Sequence, residues 1–168
     1  MEKQMLIREI RIGDNLQVER LIKSVLEEYG VPKVGSAYQD KALENMFLAY
    51  DRPKSVFFVI VETDKIIGCG GIAPLDNYEG NVCELQKMYL GKAARGRGLG
   101  YKMIAVCLNK AKEFKFEGCY LETMPNMDAA QKLYLKNGFE YIDSPMGCTG
   151  HTSCPVYMFK KLSEEVSP

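Results

Sequence analysis

At 168 residues the chain is expected to form one domain over 1–168, long enough to bury roughly two-thirds of its unfolded surface. Its 22 Lys and Arg offset 22 Asp and Glu, so no net charge draws it to nucleic acid or to an anionic membrane. The amino terminus, MEKQMLIREIRIGD, has no apolar core of signal-peptide length and no run approaches a membrane span, which leads to the expectation of a cytoplasmic protein.

In chain order, Met5 to Ile10 with Ile12 reads as a first strand. Asp14 is expected to cap the following helix, with Gln17 as its capping-box partner. Leu21, Ile22, Val25, Leu26 and Tyr29 make the apolar stripe of that helix, and Gly30 ends it. Residues 31–38, with Pro32 and Gly35, read as a loop. A second helix is expected from about Asp40, with Leu43, Met46, Phe47 and Tyr50 on one face. Ser55 to Val61 is a continuous apolar strand that Thr63-Asp64-Lys65 turns into a hairpin with Ile66 to Ala73. A polar loop from Pro74 to Asn81 leads to a strand over Val82 to Leu90. The next helix carries Leu99, Met103, Val106, Cys107, Ala111 and Phe114 at helical spacing. A short strand over Cys119 to Thr123, a helix near Asn126 to Asn137 stopped by Gly138, and strands over Phe139 to Ile142 and Val156 to Lys161 complete the pattern.

The segment Arg95-Gly96-Arg97-Gly98-Leu99-Gly100 stands at a strand-to-helix turn. Glycines there let the backbone approach a ligand without a Cβ in the way. The first N–H groups of the helix lack intrahelical partners and lie at the positive end of its dipole, so they suit a phosphate. Arg95 and Arg97 add full charges. The string G-x-x-x-x-G-K-S/T of a P-loop is absent, and the spacing is G-x-G-x-G where a dinucleotide fold needs G-x-G-x-x-G. An unrelated nucleotide-binding protein therefore fails on glycine spacing, and a pyrophosphate in another context remains.

Leu85-Gln86-Lys87-Met88-Tyr89-Leu90 followed by Arg95 to Gly100 resembles motif A of the GNAT superfamily of N-acetyltransferases, whose Q/R-x-x-G-x-G/A segment cradles the pyrophosphate of acetyl-CoA. Ala130-Gln131-Lys132-Leu133-Tyr134-Leu135-Lys136-Asn137-Gly138-Phe139 is similar to the A-x-x-L-Y-x-x-x-G-F motif of the same family. The element order matches along essentially the whole chain. The resemblance implies an α/β (α+β) fold with a central mixed, mostly antiparallel sheet of about seven strands flanked by about four helices. It implies acetyl-CoA as acetyl donor and a cofactor site formed by Met88, Tyr89, Leu90, Arg95, Gly96, Arg97, Gly98, Leu99, Gly100 and Tyr101. The family often has Asn three residues before the Ala of the second motif. Here Met127 holds that place and Asn126 precedes it, so Asn126 is either a cofactor contact or simply the N-cap.

Acetyl transfer to an amine needs a positioned donor, a neutral amine and a proton for the departing thiolate. The resemblance places Tyr134 near the sulfur, as general acid. Glu84 is the candidate base, because alternation along the strand puts Glu84, Gln86, Met88 and Leu90 on one face, and a carboxylate on the central strand would face the cleft. Glu122, inside an apolar strand, is its rival. The expected activity is acetyl transfer to a primary amine in a ternary complex, with a small-molecule acceptor slightly preferred over a peptide amino terminus or lysine. The alternative is a non-catalytic acyl-CoA-binding sensor. A homodimer is plausible within the family.

Four of the six cysteines (69, 83, 107, 119) fall in apolar patterns and read as small buried hydrophobes. Cys148, His151 and Cys154 form a C-x-x-H-x-x-C string that supplies three zinc ligands without a fourth, and no metal is expected. His151, the sole histidine, is a possible second base in a loop that could line the acceptor pocket.

Overall fold

Thr63 and Asp64 both take left-handed backbone (φ 47° and 66°), as a two-residue hairpin of the favoured twist demands. They fold β2 (Val56–Glu62) against β3 (Lys65–Pro74) in the computed structural model, which describes residues 4–151 and 153–162. Around this hairpin lie β1 (Met5–Glu9), α1 (Asn15–Glu28), the single-turn helix α2 (Met46–Ala49), β4 (Val82–Leu90) and α3 (Leu99–Glu113). The chain continues through β5 (Gly118–Thr123), α4 (Asp128–Lys136), β6 (Glu140–Ile142) and β7 (Val156–Lys161). The sheet order is β1-β2-β3-β4-β5-β7-β6, and every neighbouring pair is antiparallel except β4 and β5. The described residues thus form the expected mixed seven-stranded sheet with four α-helices.

Both faces of the sheet are covered, which is why β2 reads as an unbroken apolar run. Val56, Phe58 and Ile60 join the core under α3 and α4, with Leu99, Met103, Ile104, Cys107 and Tyr134. Phe57 and Val59 join the opposite core, with Val18, Ile22 and Leu26 of α1 and Leu43, Met46 and Tyr50. Each such fully buried side chain contributes about 1.5–3 kcal/mol over its exposed state.

Two local readings are corrected. In place of a helix from Asp40 there are 3-10 turns at Ala37–Gln39 and Lys41–Glu44 before α2. Leu43, Met46 and Tyr50 of the expected face are core residues and Phe47 is only partly buried, but the Asn45 side chain accepts from Leu48 N at 3.0 Å and starts a new turn instead of continuing the old one. Asp14 stands at the N-cap of α1 without capping it. Its carboxylate accepts from Arg8 Nη1 and Nη2 (2.7 and 3.1 Å) and from Arg11 N (2.7 Å), while Gln17 Oε1 accepts from Ile66 N at 3.0 Å.

The central strand β4 departs from simple alternation. Gly71 pairs with Gln86 and Cys69 with Tyr89, so Lys87 and Met88 together oppose Gly70, and Lys87 adopts φ 50°. This is a β-bulge, and it reverses the order of faces. Cys83 and Leu85 before it, and Met88 and Leu90 after it, all face the core under α3. Gln86 and Tyr89 face the α1 side, where Gln86 meets Tyr50 and Glu84. The expectation that Glu84, Gln86, Met88 and Leu90 share a face is therefore overturned: the bulge separates Glu84 and Gln86 from Met88 and Leu90.

Candidate functional site

The parallel ladder between β4 and β5 lasts for three pairs, Val82↔Gly118, Cys83↔Cys119 and Glu84↔Tyr120. Beyond them the strands part. A small cavity of about 60 Å³ fills the gap, lined from β4 by Leu85, Lys87, Met88 and Tyr89 and from β5 by Leu121, Glu122 and Thr123. A larger cleft of about 400 Å³ runs from Met88, Tyr89 and Leu90 to the glycine turn and α4. Tyr134 lines both, together with Met88, Tyr89, Met127 and Ala130.

At the turn, Gly96 and Gly98 take φ 71° and 73°, a conformation strained for any residue with a Cβ. Lys102 N donates to Gly98 O at 3.2 Å, so the N–H groups of Leu99, Gly100 and Tyr101 precede the hydrogen-bond ladder of α3. Gly100 serves a different need: a Cβ there would lie 2.5 Å from Leu133 Cδ2, so its absence lets α3 approach α4. Arg95, Gly96, Gly98, Leu99, Gly100 and Tyr101 all line the large cleft.

The two arginines are already engaged. Arg95 donates to both Glu28 oxygens (2.7 and 2.8 Å) and to Leu90 O (3.2 and 3.1 Å), with its guanidinium 5.6 Å above the Tyr29 ring centre. Arg97 pairs with Glu62 and donates to Ala93 O at 2.9 Å, and it lies outside the lining of the cleft. A phosphate at this turn would meet backbone donors first. Asn126 is exposed and donates to Tyr29 O at 2.8 Å, Met127 is the N-cap of α4, and Asn126 does not line the cleft. Cleft residues that sequence reasoning passed over are Tyr29, Lys132 and Lys136; the two lysines stand at i and i+4, so helical spacing alone would have placed them on one face.

Tyr134 is buried, with its ring edge-on to Phe139 at 6.0 Å, and burial pushes its phenol pKa up. Glu84 is 5% exposed and, contrary to the expectation that it would face the cleft, lines neither the large cleft nor the small cavity, because its side chain is turned to Gln86 in the buried layer. Its Oε1 accepts from Gln86 Nε2 at 2.5 Å, and Gln86 Oε1 in turn accepts from Tyr50 Oη at 2.5 Å. Burial pushes the Glu84 carboxyl up to about 7, the Gln86 hydrogen bond opposes that, and the nearby Glu122 adds to it.

Glu122 is half-buried and accepts from the Thr149 hydroxyl. One ligand atom from each of Glu84, Glu122 and His151 falls within 4.8 Å of the others. His151 Nε2 is 2.9 Å from Asp40 Oδ2, which also pairs with Lys87 Nζ at 3.0 Å. Burial lowers the His151 pKa and the Asp40 hydrogen bond raises it, with a net upward shift. Neither cysteine of the C-x-x-H-x-x-C string joins a ligand group with His151 among the described residues: Cys148 is exposed, and Cys154 lines the small cavity. His151 meets the strand carboxylates and Asp40, and Cys154, whose N donates to His151 O at 3.1 Å, lies near the same carboxylates. Asp40, Thr149 and Tyr50 carry no local signal of these roles, whereas Gln86 could have been found as the same-face neighbour two residues after Glu84.

The model of the acetyltransferase (GNAT) family matches residues 19–139. An uncharacterized N-acetyltransferase of Escherichia coli K12, YjgM, is 39% identical over 157 residues, 93% of this chain and 94% of that protein. Among solved structures, a GNAT-family acetyltransferase from Staphylococcus aureus superposes with a TM-score of 0.84 at 24% identity, covering 95% of this chain and 100% of that one. The protein yncA of Salmonella typhimurium, solved with its cofactor acetyl-CoA, superposes with a TM-score of 0.73 at 18% identity, covering 98% of each chain. The family match spans the glycine turn, the divergence of β4 from β5 and the α4 tyrosine alike, and the chain belongs to the acetyltransferase (GNAT) family.

Proposed function

We propose that the protein transfers an acetyl group from acetyl-CoA to a primary amine, with a small-molecule acceptor preferred over a peptide, by direct attack in a ternary complex. The observation that carries this reading is the position of Tyr134, which lines both the large cleft and the small cavity. The residues present fit the donor. The glycine turn offers N–H groups at the start of α3, and past Glu84 no strand of the described residues pairs with β4 on the side that faces β5. Acetyl-CoA, when bound, supplies an activated acetyl group and a thiolate leaving group.

The chain's own residues have four tasks. Main-chain groups of Met88, Tyr89 and Leu90 hold an extended arm as an added strand would be held. Glu84, with a pKa near neutrality, accepts the proton that the amine nitrogen loses as its bond to the acetyl carbon forms. Tyr134 gives its phenolic proton to the sulfur as the carbon–sulfur bond breaks. Leu26, Val31, Met124 and Met127 give the small cavity an apolar wall opposite Lys87 and Glu122, against which the acetyl and acceptor groups pack.

The test is amine-dependent thiol release from acetyl-CoA across a panel of small amines and short peptides. Glu84→Gln and Tyr134→Phe should each lower kcat by about 10²–10⁴ while acetyl-CoA still binds. Full turnover in both variants would remove these roles, and thermal stabilisation by acetyl-CoA without turnover on any amine would leave a binding module instead.

A further inference from the structure

Glu84, Glu122 and His151 come from β4, β5 and the loop before β7, and their ligand atoms converge to within 4.8 Å without an ion pair to either carboxylate among the described residues. Lys87, a cation whose charge reaches Glu84, is held by Asp40 at 3.0 Å. Asp40 also holds His151 Nε2 at 2.9 Å, which fixes the imidazole, so a metal here would take Nδ1. A carboxylate behind a histidine is the common supporting arrangement of metal-binding imidazoles. A further group is independent of the three: Tyr120, fully buried, pairs in register with Glu84 and precedes Glu122 by two residues on the same strand. Its hydroxyl lies beside Glu122 and the Met146 backbone and feels the charges of Glu122 and Glu84, but it makes no hydrogen bond of good geometry. A sealed phenol without a well-formed hydrogen bond points to a group that completes its shell.

We propose that Glu84, Glu122 and His151 form a divalent metal site of the zinc type, with the Tyr120 hydroxyl serving the fourth position or its water. One imidazole and two carboxylates are a donor set that zinc accepts. Around a tetrahedral ion with bonds of about 2.0–2.2 Å the ligand atoms lie about 3.3–3.6 Å apart, so the three side chains close by up to about 1.5 Å when the ion binds. Zinc there occupies the carboxylate to which the function above assigns the amine proton, so the ion and the acceptor exclude one another. The site itself does not depend on that function.

The test is titration of the chelator-treated full chain with Zn²⁺ by calorimetry, and with Co²⁺ by visible absorption. One ion should bind per chain, with a cobalt spectrum free of thiolate charge transfer. His151→Ala and Glu122→Gln, each checked for folding by circular dichroism, should abolish saturable binding. Asp40→Asn should weaken it by about 10–100-fold. A Cys148→Ser, Cys154→Ser variant should bind as the parent does. Absence of saturable zinc binding, an affinity unchanged in His151→Ala, or loss confined to the cysteine variant overturns the site. Normal turnover by Glu84→Gln would sink the base assignment and leave the zinc isotherm standing.

Discussion

Gln86 donates to the Glu84 carboxylate at 2.5 Å, and it presents its amide nitrogen rather than its oxygen because Tyr50 Oη donates to that oxygen, also at 2.5 Å. Tyr50 is thus a positioning residue, 7% exposed and the C-cap of α2, in the core under α1. Tyr50→Phe keeps the packing and removes the hydroxyl. The expected outcome is a stability loss of about 1–3 kcal/mol, from a carbonyl left without its donor. A several-fold fall in kcat at unchanged KM for acetyl-CoA should accompany it. An unchanged kcat in a folded Tyr50→Phe variant would show that the amide holds its orientation unaided.

The two glycines of the phosphate turn should respond differently to alanine. At Gly98 a Cβ meets nothing within 4 Å, but φ is 73°, so Gly98→Ala pays backbone strain of about 1–2 kcal/mol. At Gly100 the Cβ meets Leu133 Cδ2, so Gly100→Ala makes the Leu133 side chain swing aside and costs about 1 kcal/mol. Urea unfolding measures both. Acetyl-CoA titration should show the larger loss of affinity in Gly100→Ala, whose displaced Leu133 lines the cleft.

Acid should loosen the first turn of the fold. Burial raises the Asp14 pKa, but the hydrogen bonds from Arg8 and from Arg11 N outweigh it and hold the carboxylate below its ordinary range. Its stabilisation is therefore present above the unfolded pKa, about 3.9, and is lost as pH falls through the lower native value. Asp14→Asn should reduce stability at pH 7 by about 1.5–3 kcal/mol, the range for hydrogen bonds to charged groups, and the difference from the parent should shrink toward pH 3. A gap that stays constant with pH would assign the effect to shape alone.

Thiol chemistry should sort the six cysteines by burial. Cys148 is exposed, Cys154 is partly buried with its thiol pushed up to about 11, and Cys69 is fully buried and pushed up to about 12. A disulfide reagent at pH 8 should modify Cys148 fast and Cys154 slowly, and should reach Cys69, Cys83, Cys107 and Cys119 only after unfolding. Rapid reaction of more than two thiols in the native protein would contradict the buried placement.

Much of this architecture was legible in the chain because its signals are local. The bounds of β4 and β7 match apolar runs flanked by polar loops, and the Gly96 and Gly98 spacing marked the turn before any neighbour was known. The bulge at Lys87 was not legible. No glycine or proline within β4 announces it, the glycine opposite it (Gly70) lies on β3, and a lysine adopts left-handed backbone there because the flanking pairs to β3 hold it. Missing it left Met88 and Leu90 on the wrong face. The Asp40–His151 contact joins positions 111 residues apart, and Gln17 was read as a local cap when its true partner lies across the β2–β3 turn. These are tertiary competitions for the same polar groups, and no window of sequence decides them.

An open strand edge inside a sheet invites other chains to pair with it. Here the stretch of β4 past Glu84 is such an edge, and the bulge puts a lysine and an irregular register in its middle. A long foreign strand needs an even row of partners and finds the row broken. A short guest that makes only a few hydrogen bonds does not. The irregularity that misleads a pattern of alternation is thus also a filter on length, keeping the seam available to small ligands while discouraging self-association through it.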